Sequence, residues 1–353
     1  MVQISHPANS GILRPVRSRR KQLLCLLTSW LMLSTSATLP SLAAPTGSRA
    51  GTGGVPAQRP GRSGGKPGAK KPAARVSRLK IQVPCRAWVP RGVLPKVVLL
   101  CVHGLGLNSA SYEDFGKRMA DLGIATFAVD VRGFGTWMQL KGRTQVDFDT
   151  CLGDVQSALK VLHTAYPKLP IYVLGESMGG AIALRVTAKY PELVDGLISA
   201  VPSGDRFKQK RTEMKVALHM LEGPNKPFDV GTKVIDQATQ DEELRTEWKA
   251  DPFNRLNLSP KELMQFQHFM NENHESAKLI DKKPVLIIQG FKDKLVKPEG
   301  TIELFNELST ADKVLVVLGD KEHLIFEENQ FSDEVIWMVL GWVKSRIERP
   351  GGS

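Results

Sequence analysis

The chain has 353 residues, with 48 Lys and Arg against 36 Asp and Glu and a formal charge of +12, an excess that invites a nucleic-acid reading. Its distribution excludes that reading: residues 1–78 hold 13 basic residues and no acid, the first acid being Glu113, so residues 79–353 carry 35 basic and 36 acidic side chains, a net of −1. The body is therefore close to neutral and the excess charge belongs to the tail; the chain's length suits one large domain or two small ones.

In chain order, residues 14–21 form a basic patch, 23–33 an uncharged apolar run, and Ser41-Leu42-Ala43 a small-residue exit. This is the layout of a secretory signal whose apolar core is too short to span a bilayer comfortably. Residues 1–44 are therefore expected to be a signal peptide cut after Ala43 or Ala44 and the protein to be exported; an uncleaved anchor or a transit peptide shares some of these features. Residues 45–78 are Gly, Pro, Ala, Ser, Lys and Arg with almost nothing apolar to bury, a disordered basic linker. It serves either as a contact to anionic lipid or cell envelope or as a plain spacer. The four cysteines (Cys25, Cys85, Cys101, Cys151) have no metal-ligand spacing and no CxxC. Cys101 lies inside an apolar run, as a small core residue does.

From residue 79 to 350, strand-length apolar runs alternate with amphipathic helical stretches. The runs cover 97–104, 124–133, 171–175, 193–200, 284–290 and 313–319, and they are nearly continuous in apolar residues, as strands covered on both faces are. Helices are expected near 111–122, 150–165, 178–190, 299–309 and 331–347. The pattern is that of an α/β fold with a mostly parallel sheet. The long interval 201–283 reads as a helical cap, at about 203–280, over the carboxyl edge where ligands collect.

Gly175-Glu176-Ser177-Met178-Gly179 follows a strand and opens a helix, the context that turns G-x-S-x-G into a nucleophile elbow. A serine needs a base, and the base a partner that orients it. His323 is the one histidine after the last strand run. Asp293 sits just past run 284–290, whereas Asp281 and Asp312 precede strands and Asp320 is too close to the histidine in sequence. The oxyanion donors are expected from the N–H groups of Met178 and of Leu105, in the glycine loop "HGLGLNS"; His103 shapes that loop.

Together "VHGLGLNSASYEDFGKRMADLGIATFAVDVRGFG", "GESMGG", "GFKDKLV" and "EHLIFEE" resemble the α/β-hydrolase fold, within it the monoacylglycerol lipase and lysophospholipase branch also filed with serine aminopeptidases. The resemblance covers about residues 80–347. It implies an eight-stranded sheet, no metal or organic cofactor, a small-molecule acyl ester substrate, and the same roles for Ser177, Asp293, His323, Leu105 and Met178. Residues 130–135 match a structural loop of the branch.

Cap residues Met214, Leu218, Met220, Met264, Phe266, Phe269 and Met270 either line an acyl pocket or pack the cap's own helices. The run "DRFKQKRTEMK" (205–215) either holds a phosphate head group, lies on anionic lipid, or is a solvated face. Three functions stand: an ester hydrolase; an aminopeptidase or acyltransferase with the same triad, the former needing carboxylates such as Glu213, Glu222, Asp229, Glu242 or Glu243 for its substrate amine; and a binding protein on a hydrolase scaffold.

Overall fold

The computed structural model describes residues 2–4 and 79–348 except Lys208, Glu328 and Asn329; the signal and linker expectations lie outside the described residues. Strands β1 (Val2–Ile4), β2 (Cys85–Trp88), β3 (Val97–Val102), β4 (Ile124–Val129), β5 (Ile171–Glu176), β6 (Gly196–Ala200), β9 (Val285–Gly290) and β10 (Lys313–Leu318) form one sheet in the order 1-2-4-3-5-6-9-10. β7 (Phe228–Asp229) and β8 (Asn257–Leu258) form a small separate ladder. All neighbours in the large sheet are parallel except β2 with β4. Seven of these strands come from the body, and the three-residue β1 makes the eighth.

The six apolar runs all become strands. β3, β4, β5, β6 and β9 are buried along their whole length because helices cover both faces. On one face, α1 (Glu113–Asp121) contributes Phe115 and Met119, and the C-terminal helix Asp333–Ile347 contributes Val335 and Val339. On the other face lie α2 (Phe148–Ala165), α3 (Met178–Lys189) and the helix Pro298–Glu307, through residues such as Leu159, Ala181 and Leu304. β2 escaped sequence reading because "CRAW" is only four residues long and carries Arg86, so it has no apolar run to announce it.

The interval 201–283 is helical, as expected, and contains α4 (Gln209–Glu222), α5 (Gly231–Ala238), α6 (Glu242–Ala250), α7 (Pro260–Asn271) and α8 (Asn273–Lys278). α5 was not anticipated. It is only eight residues long, and its buried Ile235 and Ala238 join Leu244 and Trp248 of α6 around Leu107 and Leu324 of the core loops. α7 begins with a full capping box between Ser259 and Glu262, which satisfies two of the helix's orphan donors.

Polar bonds tie the cap to the loop after β3. Arg255 donates its backbone N–H to the Gly106 carbonyl at 2.7 Å, and Asn108 Nδ2 donates to Asp251 Oδ2 and Asn254 Oδ1. The Arg255 guanidinium donates to the Gly133 and Thr144 carbonyls and pairs with Glu262 at 2.7 Å.

The two readings offered for the cap's apolar residues sort differently residue by residue. Phe269 and Met270 are packing residues, Phe269 stacking on Phe148 at 4.5 Å. Phe266 lines the cavity described below. Met214 and Met264 do neither, being 63% and 55% exposed. α4 buries none of its residues.

Candidate active site

The sheet order changes direction around β3 and β5, so the crevice at their carboxyl ends is where an open α/β sheet places a ligand. Ser177 occupies that point, between β5 and α3, with φ 55° and ψ −116°. A non-glycine residue in this region is strained by about 1–3 kcal/mol. The surrounding contacts hold it there. A Cβ at Gly175 would lie 2.0 Å from the Gly179 carbonyl oxygen, and one at Gly179 would lie 1.9 Å from that of Val102. The helix after the serine therefore packs against β3 and β5 at a distance that only glycines allow.

Asp293 follows β9 and His323 follows β10, and the two meet: His323 Nδ1 donates to Asp293 Oδ2 at 2.8 Å, both side chains being almost wholly buried. The other carboxylate oxygen, Oδ1, accepts the N–H groups of Leu295 (2.7 Å) and Val296 (2.9 Å), which fixes the rotamer. Gln289 adds a longer bond to Oδ2 at 3.3 Å. With Nδ1–H donated to the acid, Nε2 carries the free lone pair, the state a general base requires.

Ser177 and His323 line one cavity of about 530 Å³, its mouth included, together with Gly104 and Leu105 from the loop after β3. The walls are largely apolar, from Leu107, Ile235, Trp248, Phe266 and Leu324. Among the described residues that line the cavity, Arg206 is the only other ionisable side chain. The backbone N–H groups of Leu105 and Met178 donate to no acceptor among the described residues, as an oxyanion hole demands. A Cβ on Gly104 would come within 3.8 Å of the Ser177 Cβ, so the loop approaches the serine closely.

His103 behaves as a loop-shaping residue. Fully buried, it donates from Nδ1 to the Gly104 carbonyl (2.8 Å) and accepts the Val131 N–H on Nε2 (2.9 Å). Both nitrogens are occupied, and burial pushes its pKa below the ordinary value, so the ring is neutral. Asp130 completes the loop, accepting the N–H groups of Ser109 and Thr136 at 2.8 Å.

Sequence analysis gave Glu176 no role of its own. Its carboxyl group is fully buried and accepts the N–H groups of Ile325 and Phe326, the latter at 3.2 Å. It thus ties the elbow to the loop that carries His323. The residue between glycine and serine in G-x-S-x-G has no defined role in the pattern, so no signal in the sequence marked it. Burial pushes the Glu176 pKa well above the ordinary 4.5, with the Glu327 charge adding to the rise.

A carboxyl whose folded-state pKa is raised contributes fully below the unfolded value and loses that contribution as pH climbs through the folded one. Thermal stability is therefore expected to fall from about pH 5 upward. Glu176→Gln, which keeps an acceptor but cannot ionise, flattens that fall. Melting curves across pH check this, and parallel curves for the two proteins would show that Glu176 is not the titrating group.

Comparison with known proteins adds the family. The profile of the Hydrolase_4 family, described as "Serine aminopeptidase, S33", matches residues 94–330. This chain belongs to that family. The match contains the elbow, the acid and the histidine. Monoglyceride lipase of Mus musculus is 26% identical over 275 residues, covering 76% of this chain and 88% of the relative. Two solved structures share the fold. A soluble variant of the Saccharomyces cerevisiae monoglyceride lipase, bound to a substrate analog, aligns with TM-score 0.64, 22% identity, and 76% and 92% coverage of this chain and that one. The Paleococcus ferrophilus monoacylglycerol lipase aligns with TM-score 0.63, 23% identity, and 75% and 99% coverage. Family and fold together make the chain an α/β-hydrolase, similar to monoglyceride lipases.

Proposed function

We propose that Ser177, His323 and Asp293 form the catalytic triad of an esterase acting on acyl chains of the monoacylglycerol or lysophospholipid type. The observation that carries this reading is the convergence on one apolar cavity of a strained serine, a histidine held by a buried carboxylate, and two uncommitted N–H groups.

The acyl chain lies along Leu107, Ile235, Trp248 and Phe266. His323 Nε2 takes the Ser177 proton as Oγ attacks the ester carbonyl, and Leu105 N–H and Met178 N–H hold the oxyanion, Met178 at the positive end of α3. Collapse expels the alcohol, which takes the proton from His323, and leaves an acyl-enzyme. Water, deprotonated by His323, then releases the fatty acid and restores the serine.

The family description names aminopeptidases, yet this cavity is a poor host for an amine. Of the carboxylates weighed for that role, Glu213 accepts from Gln209, Glu222 from His219 and Asp229 from the Thr232 N–H, and none lines the serine cavity. The cavity's free charge is the cation Arg206. Acyl chromogenic esters are expected to be cleaved and aminoacyl arylamides not; the reverse preference would assign the aminopeptidase reading.

The N-terminus belongs to the same proposal. Residues 1–44 direct export, and the 13 positive charges before residue 79, or those of 45–78 that remain after cleavage, contact anionic lipid or cell envelope. Mass spectrometry of the exported protein is expected to find it beginning at Ala44 or Pro45, and an intact Met1 in that fraction would refute cleavage.

A further inference from the structure

Next to the serine cavity, beneath α4 and α5, lies a larger one of about 1480 Å³ with its mouth. The two share Leu105, Arg206, Val234 and Leu295, so a single elongated ligand can occupy both. The larger cavity has a different character. Its wall carries Arg206, Arg211, Lys215 and Lys233 and one carboxylate, Asp229, which is occupied with the Thr232 N–H.

None of the four cations makes an ion pair among the described residues, although many other lysines and arginines of the body do. Lys215 on α4 and Lys233 on α5 both line this cavity from exposed positions, and the Lys233 ammonium pushes the Lys215 pKa below its ordinary value, with Arg211 adding to the effect. Like charges on separate elements repel unless something negative lies between them.

Arg206 guards the junction. Its backbone is bridged to Val296 in the turn that carries Asp293, and its guanidinium lies 4.3 Å from the Phe266 ring centre. Burial without a carboxylate pushes its pKa down to about 10. The adjacent acid is taken: Asp205 pairs with Lys297 at 3.1 Å.

We infer that this cavity holds a phosphate group, the head of an acyl ester whose carbonyl sits at Ser177, with Lys215 and Lys233 as its principal partners and Arg206 at the neck. The inference rests on the esterase reading above and narrows it to phosphorylated glycerol esters. A phosphate oxygen accepts from two ammonium groups at once and removes their mutual repulsion, and such charge-assisted bonds are about twice as strong as neutral ones.

The test compares the full chain with Lys215→Gln/Lys233→Gln on a monoacylglycerol and on the same monoacylglycerol carrying a 3-phosphate, both below their aggregation concentrations. The readout is the ratio of kcat/KM for the phosphorylated over the neutral ester. Being taken within each protein, it does not depend on how much of a variant is folded. The wild-type ratio is expected to exceed one, to fall as salt is added, and to drop about tenfold or more in the double variant. A second arm adds inorganic phosphate to the neutral ester. A change in rate in the wild type that the double variant lacks assigns the site to free phosphate, whereas a preference confined to the phosphorylated ester assigns it to the head group.

A ratio at or below one that the variant leaves unmoved, with no response to inorganic phosphate, overturns the subsite while the esterase reading stands. If neither ester is cleaved and a fluorophosphonate leaves Ser177 unlabelled, the esterase reading itself is lost.

Discussion

Ser177→Ala is expected to lower kcat on an acyl ester by about 10⁶-fold, as loss of the nucleophile does in other triad enzymes. Alanine keeps the Cβ and so disturbs neither the elbow nor the approach of α3 to β3, and the protein should melt near the wild-type temperature. It also relieves no strain, because the φ of 55° is imposed by the Gly175 and Gly179 contacts and not by the hydroxyl. Residual turnover comes from the two N–H donors and the apolar cavity. Adding His323→Ala to Ser177→Ala therefore costs little more, since a base has no function once its proton donor is gone. Steady-state kinetics with labelling by a fluorophosphonate measures all of this. Full labelling of Ser177→Ala, or a loss below about tenfold, would place the nucleophile elsewhere.

Asp293→Asn is expected to cost about 10⁴-fold in kcat with little change in KM, the magnitude seen when a triad acid becomes its amide. The hydrogen bonds give the reason. Oδ1 accepts two backbone N–H groups, from Leu295 and Val296, so the asparagine must place its oxygen there and turn its NH₂ toward His323. His323 Nδ1 then has to accept, the ring proton moves to Nε2, and the lone pair that would take the serine proton is gone. Stability changes less than activity, since the turn after β9 keeps its bonds. Loss of activity should be accompanied by a downfield proton signal that disappears from the His323 Nδ1 position. A variant with near-normal kcat would mean that Asp293 does not set the tautomer.

How much of this was legible in the chain can be judged from particular elements. Five of the six apolar runs became strands covered on both faces, which leaves no polar alternation to misread, and the sixth, β10, is the partly exposed edge strand. Ser177, Asp293 and His323 could be picked out by the type of residue and its place just past a strand. Cys101 inside β3 is a buried free thiol, as its surroundings suggested. β2 and α5 went unseen because each is short and its burial comes from neighbours distant in sequence.

Order along the chain therefore carried the layered fold and singled out the elbow and the candidate triad, because local hydrophobic period and strand-end position are properties of neighbouring residues. Only the tertiary structure decided the rest. Glu176 reaches 149 residues ahead to hold the histidine loop, Arg206 is bridged to the turn of the acid, and Lys215 and Lys233 line one cavity from separate helices. Each of these depends on charges and donors brought together by folding, and a linear pattern does not specify which side chain will face which across a space it does not describe.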